Sequence, residues 1–145
     1  MRLSTKTRYG LRAMITIAKS WERPVTCEVI AREQSLSKKY LDGILSILRG
    51  AGLLKSFKGH GGGYVLARPP WEMTARDVVL ILEEGLVIVP CVDDPGACEK
   101  TDRCPTREMW RSLSAAMSDT LGKVTLAELA DWKPGTDSRS TGYYI

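Results

Sequence analysis

Residues 1–70 contain three segments in which apolar side chains recur at helical spacing, followed by two short apolar runs around a glycine-rich turn. In the first segment, apolar residues recur every three or four positions until Pro24 stops the pattern. Thr26 and Ser37 are suited to cap a short second helix and a third helix over 38–51. This order of elements predicts a winged helix-turn-helix, whose third helix enters a DNA groove.

The wing is predicted from two apolar runs, 53–57 and 64–67, that flank Lys58-Gly59-His60-Gly61-Gly62-Gly63. Because glycine carries no side chain, this turn could approach a groove or a phosphate closely. A flexible turn without a ligand is the alternative. The glycines do not form a dinucleotide-binding motif, since Tyr64 stands where the third glycine would be.

The second half predicts a linker helix, a loop and a long helix. Thr74 is expected to cap a fourth helix, and residues 86–104, with their prolines and weak periodicity, should form a loop that needs a tether. Pro105 suits the first turn of a long fifth helix with apolar residues every three or four positions. Thr125 is expected to cap a last short helix.

We therefore expect a mainly α protein, a winged helix-turn-helix with a two-stranded wing hairpin and a long C-terminal dimerisation helix. The expected units are a DNA-binding domain over 1–70, the linker helix, cysteine loop and dimerisation helix over 71–132, and a mobile tail over 133–145. A chain of 145 residues supports one modest core, so the apolar stripe of helix five should pack against a second subunit. Packing of helix five across the wing domain is the alternative.

The two halves of the chain carry opposite charge. Residues 1–68 hold 13 Lys plus Arg against 4 Asp plus Glu, and residues 69–145 hold 8 against 13. A positive surplus on one small domain suits phosphate neutralisation and favours nucleic acid as the partner. A solvated surface with chance asymmetry is the alternative.

Eleven residues are predicted to contact double-stranded DNA. They are Arg2 and Lys6 at the start of helix one, Ser37, Lys38, Lys39, Tyr40 and Asp42 in the recognition helix, and Lys58, His60, Gly61 and Gly62 in the wing. Lys38 or Lys39 is expected to contact guanine or phosphate, and Asp42 to accept a hydrogen bond from a cytosine amino group. Asp42 could instead be a first-turn carboxylate favoured by the helix dipole.

Several classes of protein are not supported. The chain has one histidine, no Gly-x-Ser-x-Gly and no His-Glu-x-x-His, so we expect no enzyme. No apolar run reaches the 18 residues of a membrane span, and the amino-terminal segment lacks the apolar region of a secretory signal. A cytoplasmic protein that does not bind membranes is expected.

Three of the four cysteines, Cys91, Cys98 and Cys104, lie in one acidic segment of 14 residues, 91–104. A structural disulfide is disfavoured in the cytosol, so the thiolates are interpreted as metal ligands. Their spacing is wider than in structural zinc sites, whereas loops that bind iron–sulfur clusters accept it, which favours iron–sulfur over zinc. Three unliganded thiols are the remaining alternative, and Cys27 is interpreted as an ordinary small core residue.

Five short segments, taken together, carry a family resemblance. They are the opening Met-Arg-Leu-Ser-x-Lys-x-Arg-Tyr, Ser-Lys-Lys-Tyr-Leu in helix three, Gly-x-Gly-Gly-Gly-Tyr in the wing, the three cysteines, and Trp-Arg-x-Leu followed by Val-Thr-Leu-Ala-Glu-Leu. Over nearly all of residues 1–132 the chain resembles the Rrf family of bacterial winged-helix transcription regulators, in particular its iron–sulfur cluster regulators. The resemblance implies a dimeric repressor or activator whose cluster, with [2Fe-2S] favoured over [4Fe-4S], changes which promoters are bound, commonly those for cluster assembly.

One position departs from that pattern. Cluster-binding relatives carry a histidine ligand three residues after the last cysteine, whereas this chain has Arg107, which offers iron no lone pair. Related nitric-oxide sensors use an aspartate near the start of helix one, where this chain has Arg8. The fourth ligand is therefore unassigned, and its candidates are a carboxylate of the loop or helix five, one from the partner subunit, or a small molecule; the carboxylates on this chain are Asp93, Asp94, Asp102 and Glu108.

The mechanism expected from these features is a switch. Cluster insertion would order residues 86–104 and bias the spacing of the two recognition helices, so apo and loaded protein would differ in affinity for at least one promoter. Three competing interpretations stand beside it. The first is a metal-free DNA regulator of the same family, controlled by a partner or a small molecule. The second is a regulator that resembles the nitric-oxide or redox sensors of the family, and the third is a small electron-transfer protein.

Overall fold

A computed structural model describes residues 3–133 and confirms a mainly helical chain with a two-stranded antiparallel hairpin. The elements are α1 (Thr5–Lys19), α2 (Cys27–Gln34), α3 (Lys38–Gly50), β1 (Leu54–Phe57), β2 (Gly63–Leu66), α4 (Ala75–Glu83), α5 (Arg107–Gly122) and α6 (Leu126–Asp131). The predicted DNA contact Arg2 and residues 134–145 of the predicted tail lie outside the described residues.

Side-chain caps define most of the helix starts, including the four predicted at Thr26, Ser37, Thr74 and Thr125. Ser4, Thr26 and Ser37 each accept a hydrogen bond from the backbone N–H three residues on. Thr74 and Thr125 form complete capping boxes with the acidic residues that follow them. Caps therefore fix where the chain turns into helix.

Two predicted boundaries were wrong. Helix α1 ends at Lys19, well before Pro24, because the N–H of Ser20 turns back to the carbonyl of Ile17 and closes the last turn. Helix α5 begins at Arg107 with Thr106 as its cap, so Pro105 precedes the helix and is outside its first turn.

The core lies where α1 crosses α3 and α4. Ala13, Met14 and Ile17 of α1 are almost fully buried, and so are the inner faces of the other two helices, Leu41, Ile44, Leu45 and Leu48 of α3 and Val78, Val79 and Leu82 of α4. Gly10 permits this approach, because a Cβ there would overlap Leu82 Cδ1. Helix α6 returns to the same core and buries Leu126 completely.

The hairpin is joined to the helical core by a third short pairing. β1 and β2 pair with Leu54 opposite Leu66 and Phe57 opposite Gly63, and Tyr64 also exchanges backbone hydrogen bonds with Val25. A Cβ at Gly63 would lie 2.6 Å from the Val25 carbonyl oxygen. Glycine is therefore required at this crossing, and the wing is fixed beside α2.

Helix α5 stands apart from this core. Within the described residues none of its side chains is buried, and Met109 and Leu113 are exposed. Its far end is anchored, since Ala75 donates to the carbonyl of Val124 and Leu126 to that of Met73, both at 2.8 Å. None of the helices of residues 3–133 is both long and apolar enough to cross a bilayer.

Candidate DNA-binding surface and cysteine loop

The first turn of α3 presents its predicted DNA contacts to solvent. Ser37, Lys38, Lys39, Tyr40 and Asp42 are all exposed. The ammonium of Lys38 forms an ion pair with Glu28 of α2, which raises the pKa of Lys38 and lowers that of Glu28. Lys38 is thus held against α2.

The start of α1 lies beside this recognition helix. Lys6 lines an open groove of about 470 Å³ together with Ser37, Lys39, Tyr40 and Ile47 of the α3 side. Tyr40 also packs edge-on against Tyr9 of α1, with ring centroids 6.3 Å apart. The structure therefore places Lys6 of α1 on the same surface as Ser37, Lys39 and Tyr40.

Asp42 is held toward the wing. The hydroxyl of Tyr64 in β2 lies 3.5 Å from Asp42 Oδ1 and donates to it. Burial first, and then the charge of Asp42, raise the pKa of the Cys27 thiol to about 11. The carboxylate of Asp42 can accept further hydrogen bonds. It can therefore accept one from a base edge while it remains bonded to Tyr64 of the wing.

The wing tip depends on glycine for its shape. Lys58, His60 and Gly61 are exposed, while a Cβ at Gly62 would overlap the Phe57 carbonyl oxygen. Gly61 adopts φ +75°, which disfavours side chains. The glycine run is thus explained by the turn itself, and the side chains of Lys58 and His60 lie exposed beside it.

The three clustered cysteines lie on one loop between α4 and α5, and all are free thiols. Cys98 is exposed, and Cys91 and Cys104 are half-buried. The segment predicted as irregular contains three short 3-10 turns, Pro90–Val92, Pro95–Ala97 and Thr101–Arg103. Buried Thr101 donates to the carbonyl of Cys98 at 2.7 Å, so protein contacts already shape this loop.

Residue 107 acts on the loop through its guanidinium. Arg107 Nε donates to the carbonyl oxygen of Cys91 at 2.9 Å and ties the loop to the first turn of α5. Hydrogen bonds from Thr106, and more weakly the backbone and charge of Arg107, lower the pKa of the Cys104 thiol. Arg107 therefore anchors the backbone near one predicted ligand and favours the thiolate of another.

The donor chemistry of this loop fits part of an iron–sulfur site. Thiolates are the ligands that such clusters use, and three of them share one surface loop. Within residues 3–133, however, no three His, Cys, Asp or Glu side chains are grouped to hold a metal ion. The three cysteines therefore fit a cluster site only when the loop brings their thiolates together, and the fourth ligand has to come from another group.

The winged helix-turn-helix with cationic groups along its recognition face defines a DNA-binding regulator. The chain belongs to the Rrf2 family: residues 3–132 match its sequence model, described as an iron-dependent transcriptional regulator. The resemblance read from the five segments is thereby confirmed. The relatives are named as transcriptional regulators, so the protein is a regulator and not an enzyme.

Three relatives illustrate the similarity. The transcriptional regulator CymR of Bacillus subtilis is 38% identical over the full length of both chains, and its structure, described as that of the global cysteine regulator, gives a TM-score of 0.76 over 92% of this chain and 98% of that one. IscR of Serratia proteamaculans is 39% identical over 90% of this chain and 80% of its own. The structure of T. potens IscR is 32% identical, with a TM-score of 0.75 over 99% and 97% of the two chains.

Proposed function

We propose that this Rrf2-family regulator works as a homodimer that senses its effector through an iron–sulfur cluster held by Cys91, Cys98 and Cys104. The observation that carries the proposal is the placement of three soft donors on the loop that joins the linker helix α4, which packs in the core of the DNA-binding domain, to α5. A change in the conformation of that loop would therefore displace both α4 and α5. The protein would act in the cytoplasm, where its operators lie.

The eleven predicted DNA contacts are retained as the reading surface. The groove lined by Lys6, Ser37, Lys39 and Tyr40 supports joint action of α1 and α3 on one duplex. Lysines there would neutralise phosphates, while Asp42 would select a base. Lys58 and His60 of the wing would then position the second contact along the backbone, with Gly61 and Gly62 shaping the tip.

The dimer is proposed from α5. Across Arg107–Gly122, none of the side chains of α5 is buried, and the apolar Met109 and Leu113 are exposed. Pairing of α5 with the same helix of a second copy would bury these side chains and stabilise the fold. Two reading domains would thereby be spaced for two half-sites on one face of DNA.

In the loaded protein the cluster supplies sensitivity to oxidation, nitric oxide or iron supply. The chain's own residues would hold it: three thiolates would bind, and hydrogen bonds from Thr106, with a smaller contribution from Arg107, lower the pKa of Cys104 and so favour its thiolate. We favour [2Fe-2S], with a fourth ligand from a carboxylate, the partner subunit or a small molecule. The genes controlled would be those for cluster assembly, as the resemblance to IscR suggests.

A second candidate is a cluster-free regulator of the same family. Two observations favour it: Arg107 stands at the family's histidine position and already binds the loop backbone, and CymR is as similar to this chain as IscR is. In this case the loop would respond to a protein partner or a small molecule.

Oxygen-free purification followed by iron and sulfide counting separates the two candidates. The cluster proposal predicts coloured protein with stoichiometric iron and sulfide, both of which disappear when Cys91, Cys98 and Cys104 are all replaced by serine. Cys27→Ser, remote from the loop, is the matched control and should keep the colour. Colourless, iron-free wild-type protein that still binds its operator would support the cluster-free candidate.

A further inference from the structure

The amino terminus of α1 is completed by a residue from another helix. In a capping box the third helical residue is Glu or Gln and binds the N–H of the cap residue. In α1 that third position is Thr7, and the N–H of Ser4 is instead bound by Glu83 Oε1 at 2.7 Å. Glu83 thus performs across 79 positions the role that a local glutamate usually performs.

The contact is electrostatically favourable. Hydrogen bonds from the hydroxyl of Thr7, and then from Ser4, lower the pKa of Glu83, and the charge of Lys6 adds to the effect. The carboxylate also lies at the positive end of the α1 dipole. Glu83 is therefore ionised at neutral pH and bound to a structured partner.

The position of Glu83 connects this contact to the cysteine loop as well as to α1. Glu83 is the last residue of α4 and lies just before the cysteine loop. With Leu3, Leu86 and Val87 it lines an open groove of about 540 Å³, whose other wall is the apolar side of α5. On the other side, Lys6 follows Ser4 by two residues and lines the recognition groove.

We propose that Glu83 is a positioning residue that couples the beginning of the cysteine loop to the DNA-contacting start of α1. The inference rests on the proposed DNA contact by Lys6. Through the Ser4 N–H and the Thr7 hydroxyl, Glu83 fixes where the amino-terminal lysine meets the duplex. A displacement of residues 85–87 then moves that lysine without passing through the core.

The test compares Glu83→Gln and Glu83→Ala with Glu84→Gln. Glu84 is the exposed neighbouring carboxylate, so its change removes the same charge one residue away. The probe is a duplex selected from random sequence by the wild-type protein. Dissociation constants are measured over a series of salt concentrations, and amide hydrogen exchange is measured on the unbound protein.

Glu83→Ala should weaken DNA binding about threefold to tenfold, because the stabilisation lost with the cap, about 1 kcal/mol, would have to be supplied when DNA orders the start of α1. It should also lower the salt slope by about 0.9 for each phosphate that the protein no longer neutralises. Exchange should rise together at Ser4–Thr7 and at residues 85–87, with 41–48 unchanged. Glu83→Gln, which keeps an oxygen acceptor but removes the charge, should fall between wild type and Glu83→Ala, and Glu84→Gln should match wild type.

Unchanged affinity and slope in Glu83→Ala would overturn the inference while leaving DNA binding intact. So would exchange that rises at the start of α1 alone. A wild-type protein that selects no duplex would instead contradict the proposed function, which keeps the two failures apart.

Discussion

Gly10 sets the distance between α1 and α4. A Cβ at this position would overlap Leu82 Cδ1 and lie 3.2 Å from Ile44 Cγ2, and both neighbours are buried. Gly10→Ala should therefore destabilise the fold by about 1–3 kcal/mol. Gly43→Ala is the control, since nothing lies within 4 Å of a Cβ there, and it should stabilise α3 by about 0.5–1 kcal/mol. Urea unfolding measures both, and equal midpoints would refute this packing argument.

Cys27 differs from the loop cysteines in reactivity. Its thiol is 7% exposed, and burial beside Asp42 raises its pKa to about 11. Since the thiolate is the nucleophile, alkylation by iodoacetamide should be slow at neutral pH and rise about tenfold per pH unit. Mass spectrometry should show the exposed Cys98 and the low-pKa Cys104 modified well before Cys27. Modification of Cys27 as fast as Cys98 at pH 7 would contradict the burial.

At the scale of elements, sequence reasoning located the helices through local chemistry. The caps at Thr26, Ser37, Thr74 and Thr125 lie where side-chain oxygens precede apolar periodicity. Such signals span three or four residues, so they are visible in a single sequence. The order of helices and hairpin, and hence the winged fold, follows from them.

Contacts between distant residues were not predictable in this way. Glu83 binds Ser4, and Arg107 binds the carbonyl of Cys91, yet neither pair leaves a pattern in the sequence. Arg107 was recognised only as a missing histidine, and its role as a loop anchor needed the structure. The predicted grouping of the three cysteines remains a prediction.

The groove between α1 and α3 allows the proposed DNA-binding surface to be tested with one lysine from each helix. Lys6→Ala and Lys39→Ala should each lower the slope of log K against log salt by about 1.8 for a dimer on two half-sites, because each leaves one phosphate per half-site without its lysine. Lys123→Ala, in the acidic second half, is the control and should leave the slope unchanged. Fluorescence anisotropy over a salt series measures all three, and identical slopes would refute the surface.

At the scale of the whole molecule, α5 is expected to hold two copies together. Leu113 lies exposed on this helix, and Leu113→Asp would place a charge in the apolar interface and weaken association more than tenfold. Ser112→Asp adds the same charge at a neighbouring exposed position and should leave the dimer intact. Analytical ultracentrifugation distinguishes them. A wild-type protein that sediments as a monomer would contradict the proposed dimer.

The central proposal is that the state of the loop bearing Cys91, Cys98 and Cys104 sets the affinity of the recognition surface for DNA. The most direct measurement is a pair of binding curves for apo and anaerobically reconstituted protein on the same selected duplexes. At least one duplex should separate the curves by fivefold or more, about 1 kcal/mol of coupling. The triple serine variant should bind like the apo protein under both treatments. Superimposable curves for the two wild-type forms on every duplex would contradict the proposal.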